Sequence, residues 1–114
     1  MTFSIVARDP QAGELGIAVQ SKFLAIGAVV PWARAGVGAI ATQSWANTSY
    51  GSTGLELLAE KLSAAEVLTR LTSNDDGRAS RQVGIVAPTC EPVTYTGNQC
   101  YPSAGLAQTV FISA

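Results

Sequence analysis

The chain has 114 residues, of which 47% are hydrophobic and 13% charged, and its formal net charge is -1. This length suits a single domain, residues 1–114, and the seven scattered Lys and Arg residues exclude the basic surface that binding to nucleic acid or to an anionic membrane would require. Because the chain has no His, and because Cys90 and Cys100 fit neither a zinc site nor a CxxC redox pair, we expect neither a metal nor a cofactor.

The N-terminal run does not resemble a secretion signal, since Arg8 and Asp9 interrupt it before an apolar core could form, and we expect a cytoplasmic protein. The longest charge-free stretch, residues 35–55, contains four Gly together with Thr, Gln, Ser and Asn, which argues against a membrane span. A surface so poor in charge indicates either that much of the chain is buried or that a partner subunit covers an apolar face. We expect the second, and the composition therefore predicts a homo-oligomer.

The first third of the chain predicts strands. Residues 2–22 predict a β-hairpin with its turn at residues 9–13, because apolar side chains alternate along the first arm at Phe3, Ile5 and Ala7. Small residues in segments 25–31 and 36–42 predict a second pair of closely packed strands. Residues 45–54 predict an irregular loop.

Two helices are predicted in the middle of the chain. The first begins near residue 53, because apolar residues follow at helical spacing: Leu55, Leu58 and Leu62. Ser63 and Glu66 have the spacing of a capping box, so a second helix is expected from there to about Leu71.

Strands return after the helices. Residues 82–86 and 92–96 predict another hairpin, and residues 110–112 predict one further strand. Strands in a block, followed by helices and then by more strands, indicate an α+β fold with helices on one face of an antiparallel sheet.

Thr2 is the strongest candidate for a catalytic residue. If Met1 is removed, Thr2 carries a free α-amine beside its own hydroxyl, which provides a nucleophile and its general base within one residue. The alternative is an ordinary small residue after the start methionine.

Ser21 and Lys22 end the second predicted strand, and the hairpin register brings that end close to Thr2. An ammonium there would stabilise an ionised hydroxyl, so we assign Lys22 a catalytic role and Ser21 a role in substrate binding. The alternative for Lys22 is a solvated side chain at a strand end.

Three further residues are candidates for substrate binding. Arg34 is the only charge in a long apolar region, where it would bind a substrate carboxylate or pair with Asp9 or Glu14. Trp45 and Asn47 offer an aromatic platform and an amide, which suit ligand contact and loop anchoring equally well.

The chain also resembles DUF1028, a bacterial family of uncharacterised domains that is similar to the N-terminal nucleophile (Ntn) hydrolases. The matching stretches are TFSIVARDP at 2–10, GELGIAV at 13–19, SKF at 21–23, IGAVVPWARAGVGAIATQ at 26–43, YGSTGLELLAEKLSAAEVLTRL at 50–71, RQVGIV at 81–86 and TGNQC at 96–100.

This resemblance implies an Ntn-hydrolase-like αββα sandwich, in which Thr2 attacks an amide carbonyl and forms an acyl-enzyme that water releases. Backbone N–H groups near the Gly-rich strands would stabilise the oxyanion. The position that is acidic in proteasomal relatives is Gln20 here, a departure from the catalytic pattern. Arg34 would lie roughly where those enzymes carry an activating Lys.

After Cys100 the family continues into further strands and helices, whereas this sequence follows a different course and stops at residue 114. We therefore expect an incomplete sandwich. The leading hypothesis is a hydrolase of amide or peptide bonds with a small-molecule or peptide substrate. The alternative is a catalytically inactive binding or structural module that works through oligomerisation, and a third interpretation is a truncated product without independent function.

Overall fold

Antiparallel pairing organises the protein into two sheets. The structure is a computed structural model, and it describes residues 1–104. Strands β1 and β2 form a two-stranded sheet, and β3, β4, β5 and β6 form a four-stranded sheet in that order. The elements are β1 Thr2–Arg8, β2 Leu15–Ser21, β3 Pro31–Arg34, β4 Gly38–Ser44, α1 Ser49–Ala59, α2 Ala64–Ser73, β5 Arg81–Val86 and β6 Val93–Thr96.

The four-stranded sheet separates two unlike layers. Alternate residues of β4 and β5 point to opposite faces. One face packs on α1 and α2 through a buried apolar cluster that includes Ile40, Tyr50, Leu55, Leu58, Val67, Val83 and Ile85. Burial of such side chains, at roughly 1.5–3 kcal/mol each, makes this helix-covered face the principal core.

The opposite face of the four-stranded sheet packs against β1 and β2. Its side chains are small or polar, with Ala39 and Ala41 on β4 and Gly84 on β5. A Cβ at Gly84 would lie 3.9 Å from the Val6 side chain, so β1 approaches this face closely. The predicted α+β class with antiparallel sheets and helices on one face is thus confirmed.

The predicted strand at residues 25–31 is wrong. Ala25 has a left-handed backbone (φ 57°), and the chain then makes a 3-10 turn at Ile26–Ala28. Because this turn occupies the residues before it, the strand that pairs with β4 begins only at Pro31.

The predicted loop at residues 45–54 is wrong from Ser49 onward. Helix α1 begins there although its first turns are rich in Ser, Thr and Gly, which are weak helix formers. Tyr50 is 1% exposed, so tertiary packing overrides the local propensity. The close approach of Gly51 to the Trp32 ring holds the same turn against β3.

The other predicted elements that fall in the described residues are confirmed. The hairpin at residues 2–22 pairs from Thr2↔Ser21 to Arg8↔Leu15, and the hairpin of β5 and β6 has its predicted position. The capping box forms, with the Ser63 hydroxyl accepting the Glu66 N–H. The strand predicted at residues 110–112 lies outside the described residues.

Within residues 1–104, neither helix combines the length and the apolar character that a bilayer span requires. The same residues contain no cluster of three or more His, Cys, Asp or Glu side chains placed to hold a metal ion. Cys90 and Cys100 are both free thiols.

Candidate active site at the start of β1

Thr2 begins β1, and the hairpin register places Ser21 opposite it. The Thr2 Oγ1 and Ser21 Oγ atoms are 3.1 Å apart. Ser21 Oγ also donates to the Met1 carbonyl at 3.3 Å and accepts the Phe23 N–H at 3.1 Å. Either hydroxyl can donate in the contact between the Thr2 and Ser21 side chains. The structure therefore brings together the two hydroxyls that the sequence placed at one strand end.

Met1 is accessible while Thr2 is half-buried. The Met1 side chain is 92% exposed, so the bond that joins it to Thr2 lies at the surface. Cleavage of that bond would leave the Thr2 α-amine next to the position of the Met1 carbonyl, which Ser21 already reaches. The Ser21 hydroxyl is thus placed to orient both the amine and the hydroxyl of Thr2.

Lys22 directly follows Ser21 and is exposed, and it makes no ion pair within residues 1–104. Gln20 is also exposed and pairs with Phe3 on the outer face of the hairpin. Lys22 is thus the charged residue next in sequence to Ser21.

Two contacts show how β1 lies across the four-stranded sheet. Ser4 Oγ donates to Gln43 Oε1 at 2.6 Å, near the end of β4. At the other end of β1, Arg8 Nη1 donates to the Ala87 carbonyl at 2.6 Å. Thr2 therefore lies at the end of the sheet where β4 finishes.

The structure does not bring Arg34 to Thr2. Arg34 pairs with Gly38 at the start of β4, five residues from Gln43, which is about 17 Å along a strand. The side chain is exposed, contrary to its predicted place among buried strands, and it forms no ion pair with Asp9 or Glu14.

Trp45 and Asn47 follow β4 at the Thr2 end of the sheet. Trp45 is 74% exposed and comes after Ser44, whose backbone is left-handed (φ 69°). Asn47 Oδ1 accepts the backbone N–H of Ser49 at 3.1 Å and its hydroxyl at 2.7 Å. Asn47 thus anchors the first turn of α1, while the Trp45 ring is left open to solvent.

Sequence reasoning missed a chain of buried polar side chains. Gln43 Nε2 donates to Gln82 Oε1 at 2.8 Å, and Gln82 Nε2 donates to Thr96 Oγ1 at 3.2 Å. With the Ser4–Gln43 bond, these contacts link β1, β4, β5 and β6. Gln43 and Gln82 are 7% and 6% exposed. The sequence signal for this chain was a long amide side chain among mostly apolar residues in each of two strands, Gln43 in β4 and Gln82 in β5.

A second missed group is centred on Asp75. Its carboxylate accepts from the Tyr50 hydroxyl at 2.8 Å, from Arg81 Nε at 2.8 Å and from the Gly77 N–H at 2.8 Å. The Arg81 hydrogen bond is the main cause that holds the pKa of Asp75 well below its ordinary value. Burial is the main cause that raises the pKa of Tyr50. Arg81 Nη1 also donates to the Trp45 carbonyl at 2.6 Å.

Comparison with known proteins places these features in a family. A family model described as a family of unknown function, DUF1028, matches residues 2–114. The crystal structure of a DUF1028 protein from Silicibacter pomeroyi is similar, with a TM-score of 0.89 at 28% sequence identity, over 96% of this chain and 51% of that one. This chain thus spans about half the length of that relative. The sequence matches none of the curated proteins.

Proposed function

This chain belongs to the DUF1028 family, and on that premise we propose that it hydrolyses amide or peptide bonds with Thr2 as the N-terminal nucleophile. The observation that carries the proposal is the 3.1 Å contact between Thr2 Oγ1 and Ser21 Oγ at the accessible start of β1. The packing of β1 and β2 on a sheet whose other face bears helices supports an αββα sandwich of the N-terminal nucleophile type.

The reaction starts after Met1 is removed. The Thr2 α-amine takes the proton of the Thr2 hydroxyl, and Oγ1 bonds to the carbonyl carbon of the substrate amide. The tetrahedral intermediate collapses when the C–N bond breaks, and the amine product leaves with the proton that the α-amine returns. Water then adds to the acyl ester with the same amine as base, and the carboxylic acid and free Thr2 are released.

Neighbouring groups have supporting roles in this reaction. Ser21 orients the Thr2 hydroxyl and amine, and the Lys22 ammonium offsets negative charge that develops on the substrate. Arg34 is left out of the mechanism because it lies at the opposite end of the sheet. Backbone N–H groups at the Thr2 end serve as oxyanion donors.

Thr2→Ala is expected to abolish hydrolysis, by about 10³-fold or more, because it removes the nucleophile and keeps the backbone. Protein without Met1, verified by intact mass spectrometry, would be assayed against a panel of peptidyl aminomethylcoumarin amides. Thr2→Ser should retain activity, since it keeps the hydroxyl. Thr89→Ala, at an exposed position, is the control. Unchanged hydrolysis by the Thr2→Ala protein, or full activity with Met1 retained, would refute the proposal.

A second candidate function is favoured by one observation. Large apolar side chains are exposed on and beside the β1–β2 hairpin, with Phe3 at 61%, Ile5 at 47%, Phe23 at 62% and Leu24 at 91%. A binding or structural module that oligomerises would bury such a surface. Sedimentation together with intact mass separates the two functions, because a stable assembly that retains Met1 suits the module and blocks the N-terminal mechanism.

A further inference from the structure

We propose that Trp45 is the platform on which a peptide substrate places an aromatic or large apolar side chain, and that Arg81 is the residue that positions it. This inference rests on the proposed function and deepens it, since it names the substrate class and a determinant of specificity. Four observations carry it: the exposure of Trp45, the restraint of its backbone, its place in the fold and its surroundings.

Trp45 is 74% exposed, although an indole is among the side chains that folding most favours burying. The residue before it, Ser44, has a left-handed backbone at φ 69°, a conformation that costs free energy in any residue other than Gly. Such strain persists where the surrounding contacts over-determine the local geometry, and it concentrates at ligand contacts.

Both backbone polar groups of Trp45 are held. Its N–H donates to the Ser80 carbonyl at 3.2 Å, and its carbonyl accepts from Arg81 Nη1 at 2.6 Å. The guanidinium is itself fixed by Asp75, through Nε at 2.8 Å and Nη2 at 3.3 Å. The planar guanidinium of Arg81 thus joins the loop after β4, through the Trp45 carbonyl, to the turn after α2, through Asp75. The backbone that carries the exposed indole is thus pre-organised, which reduces the entropy lost when a ligand binds.

The position of Trp45 suits a ligand that also reaches Thr2. Ser4 and Gln43 are hydrogen-bonded at 2.6 Å, Thr2 is two residues before Ser4, and Trp45 is two residues after Gln43. Each therefore lies within about 7 Å of that contact along the chain. An extended peptide advances about 3.3 Å per residue, so a few residues span the distance from the scissile bond to the indole.

The surroundings select an apolar side chain. Phe23 and Leu24, which follow Ser21 at the same end, are 62% and 91% exposed. The nearby cation Arg81 is neutralised by Asp75, with side chains only 21% and 12% exposed. An acidic substrate side chain would find the guanidinium beside Trp45 already paired with Asp75, whereas an aromatic ring gains stacking contact with the indole.

The test uses Thr2→Ala protein, which would bind substrate without consuming it. Two capped hexapeptide amides, one of Ala alone and one with a single Phe, are titrated by calorimetry. The Phe peptide is expected to bind at least about fivefold more tightly. It should also protect Trp45 from iodide quenching, since Trp32 is half-buried with its indole N–H bonded to the Val29 carbonyl at 2.9 Å.

Variants then test the Trp45 ring separately from the Arg81 side chain that holds its backbone. Trp45→Phe should keep the preference for the Phe peptide, and Trp45→Ala should remove it. Arg81→Lys, provided that its melt stays cooperative, should reduce the preference and shorten the anisotropy decay of the Trp45 fluorescence. Equal affinity for the two peptides, no binding of either, or a preference that survives Trp45→Ala would overturn the inference.

The same data separate this inference from the proposed function. Preferential binding of the Phe peptide, together with an absence of Thr2-dependent hydrolysis, would support the platform and refute the hydrolase. Thr2-dependent hydrolysis with no preference for the Phe peptide would support the hydrolase and refute the platform.

Discussion

Asp75→Asn is expected to lower the free energy of unfolding by about 3 kcal/mol, because it removes one partner of a largely buried ion pair. The Asp75 and Arg81 side chains are only 12% and 21% exposed. An amide would leave the guanidinium without its counter-ion and would weaken the hydrogen bond from the buried Tyr50 hydroxyl. Urea denaturation followed by circular dichroism would measure the loss.

The effect of Asp75 should depend on pH. The pKa of Asp75 in the folded protein lies below its ordinary 3.8, so the carboxylate stabilises the folded state fully above about pH 4. This contribution is lost progressively as the pH falls below that value, because the carboxyl group of the unfolded chain then takes up a proton while the folded carboxylate still resists protonation. The difference in stability between wild-type and Asp75→Asn protein should therefore be constant from pH 5 to 7 and shrink toward pH 3.

Asp76→Asn is the matched control for Asp75→Asn. Asp76 is adjacent but exposed, and a surface substitution of this kind changes stability by less than about 0.5 kcal/mol. An equal loss in the two variants would mean that general charge, and not the contacts of Asp75, governs stability.

Gly97→Ala is expected to destabilise the protein by about 3 kcal/mol, since it adds a methyl group where only backbone atoms are in contact. A Cβ at Gly97 would lie 2.5 Å from the Arg78 carbonyl oxygen and closer still to the Ala79 carbonyl. Neither can move without disturbing the 3-10 turn Arg78–Ser80 or the bond from the Gly97 N–H to the Arg81 carbonyl. The thermal midpoint should fall accordingly.

Gly16→Ala is the control for Gly97→Ala. Gly16 lies in β2, and a Cβ there would meet no atom within 4 Å. Its replacement should change the free energy of unfolding by less than about 0.5 kcal/mol. Similar losses at the two positions would show that the close contact of Gly97 is not what limits substitution.

Elements with a strong local pattern could be predicted from the sequence. The hairpin of β1 and β2, the capping box of α2 and the hairpin of β5 and β6 are each specified by neighbouring residues, through alternation, capping and turn chemistry. The errors fall where the local pattern is weak. Residues 25–31 are small and apolar without a period, and the first turn of α1 is helical because Tyr50 is buried.

The candidate site, too, was predicted where it depends on neighbouring residues and missed where it depends on the packing of distant elements. The predicted hairpin placed Thr2 near the Ser21–Lys22 end of the second strand, and in the structure it is Ser21 that pairs with Thr2 and contacts its hydroxyl. Arg34 was proposed for the same site as the only charge in a long apolar region, but no local pattern says at which end of a sheet a strand residue lies. That end is decided by how β1 crosses β4 and β5.

By itself the sequence determined the α+β class, the first and last hairpins, the α2 cap and the proximity of Thr2 to the end of β2. Only the tertiary structure decided that Gln43 meets Gln82 across 39 residues, that Arg81 holds Trp45 across 36, and that Asp75 accepts from both Arg81 and Tyr50. The physical reason is the sequence distance over which each kind of interaction acts. Periodicity and capping act within a few residues, whereas a buried polar group finds its partner through the packing of whole elements.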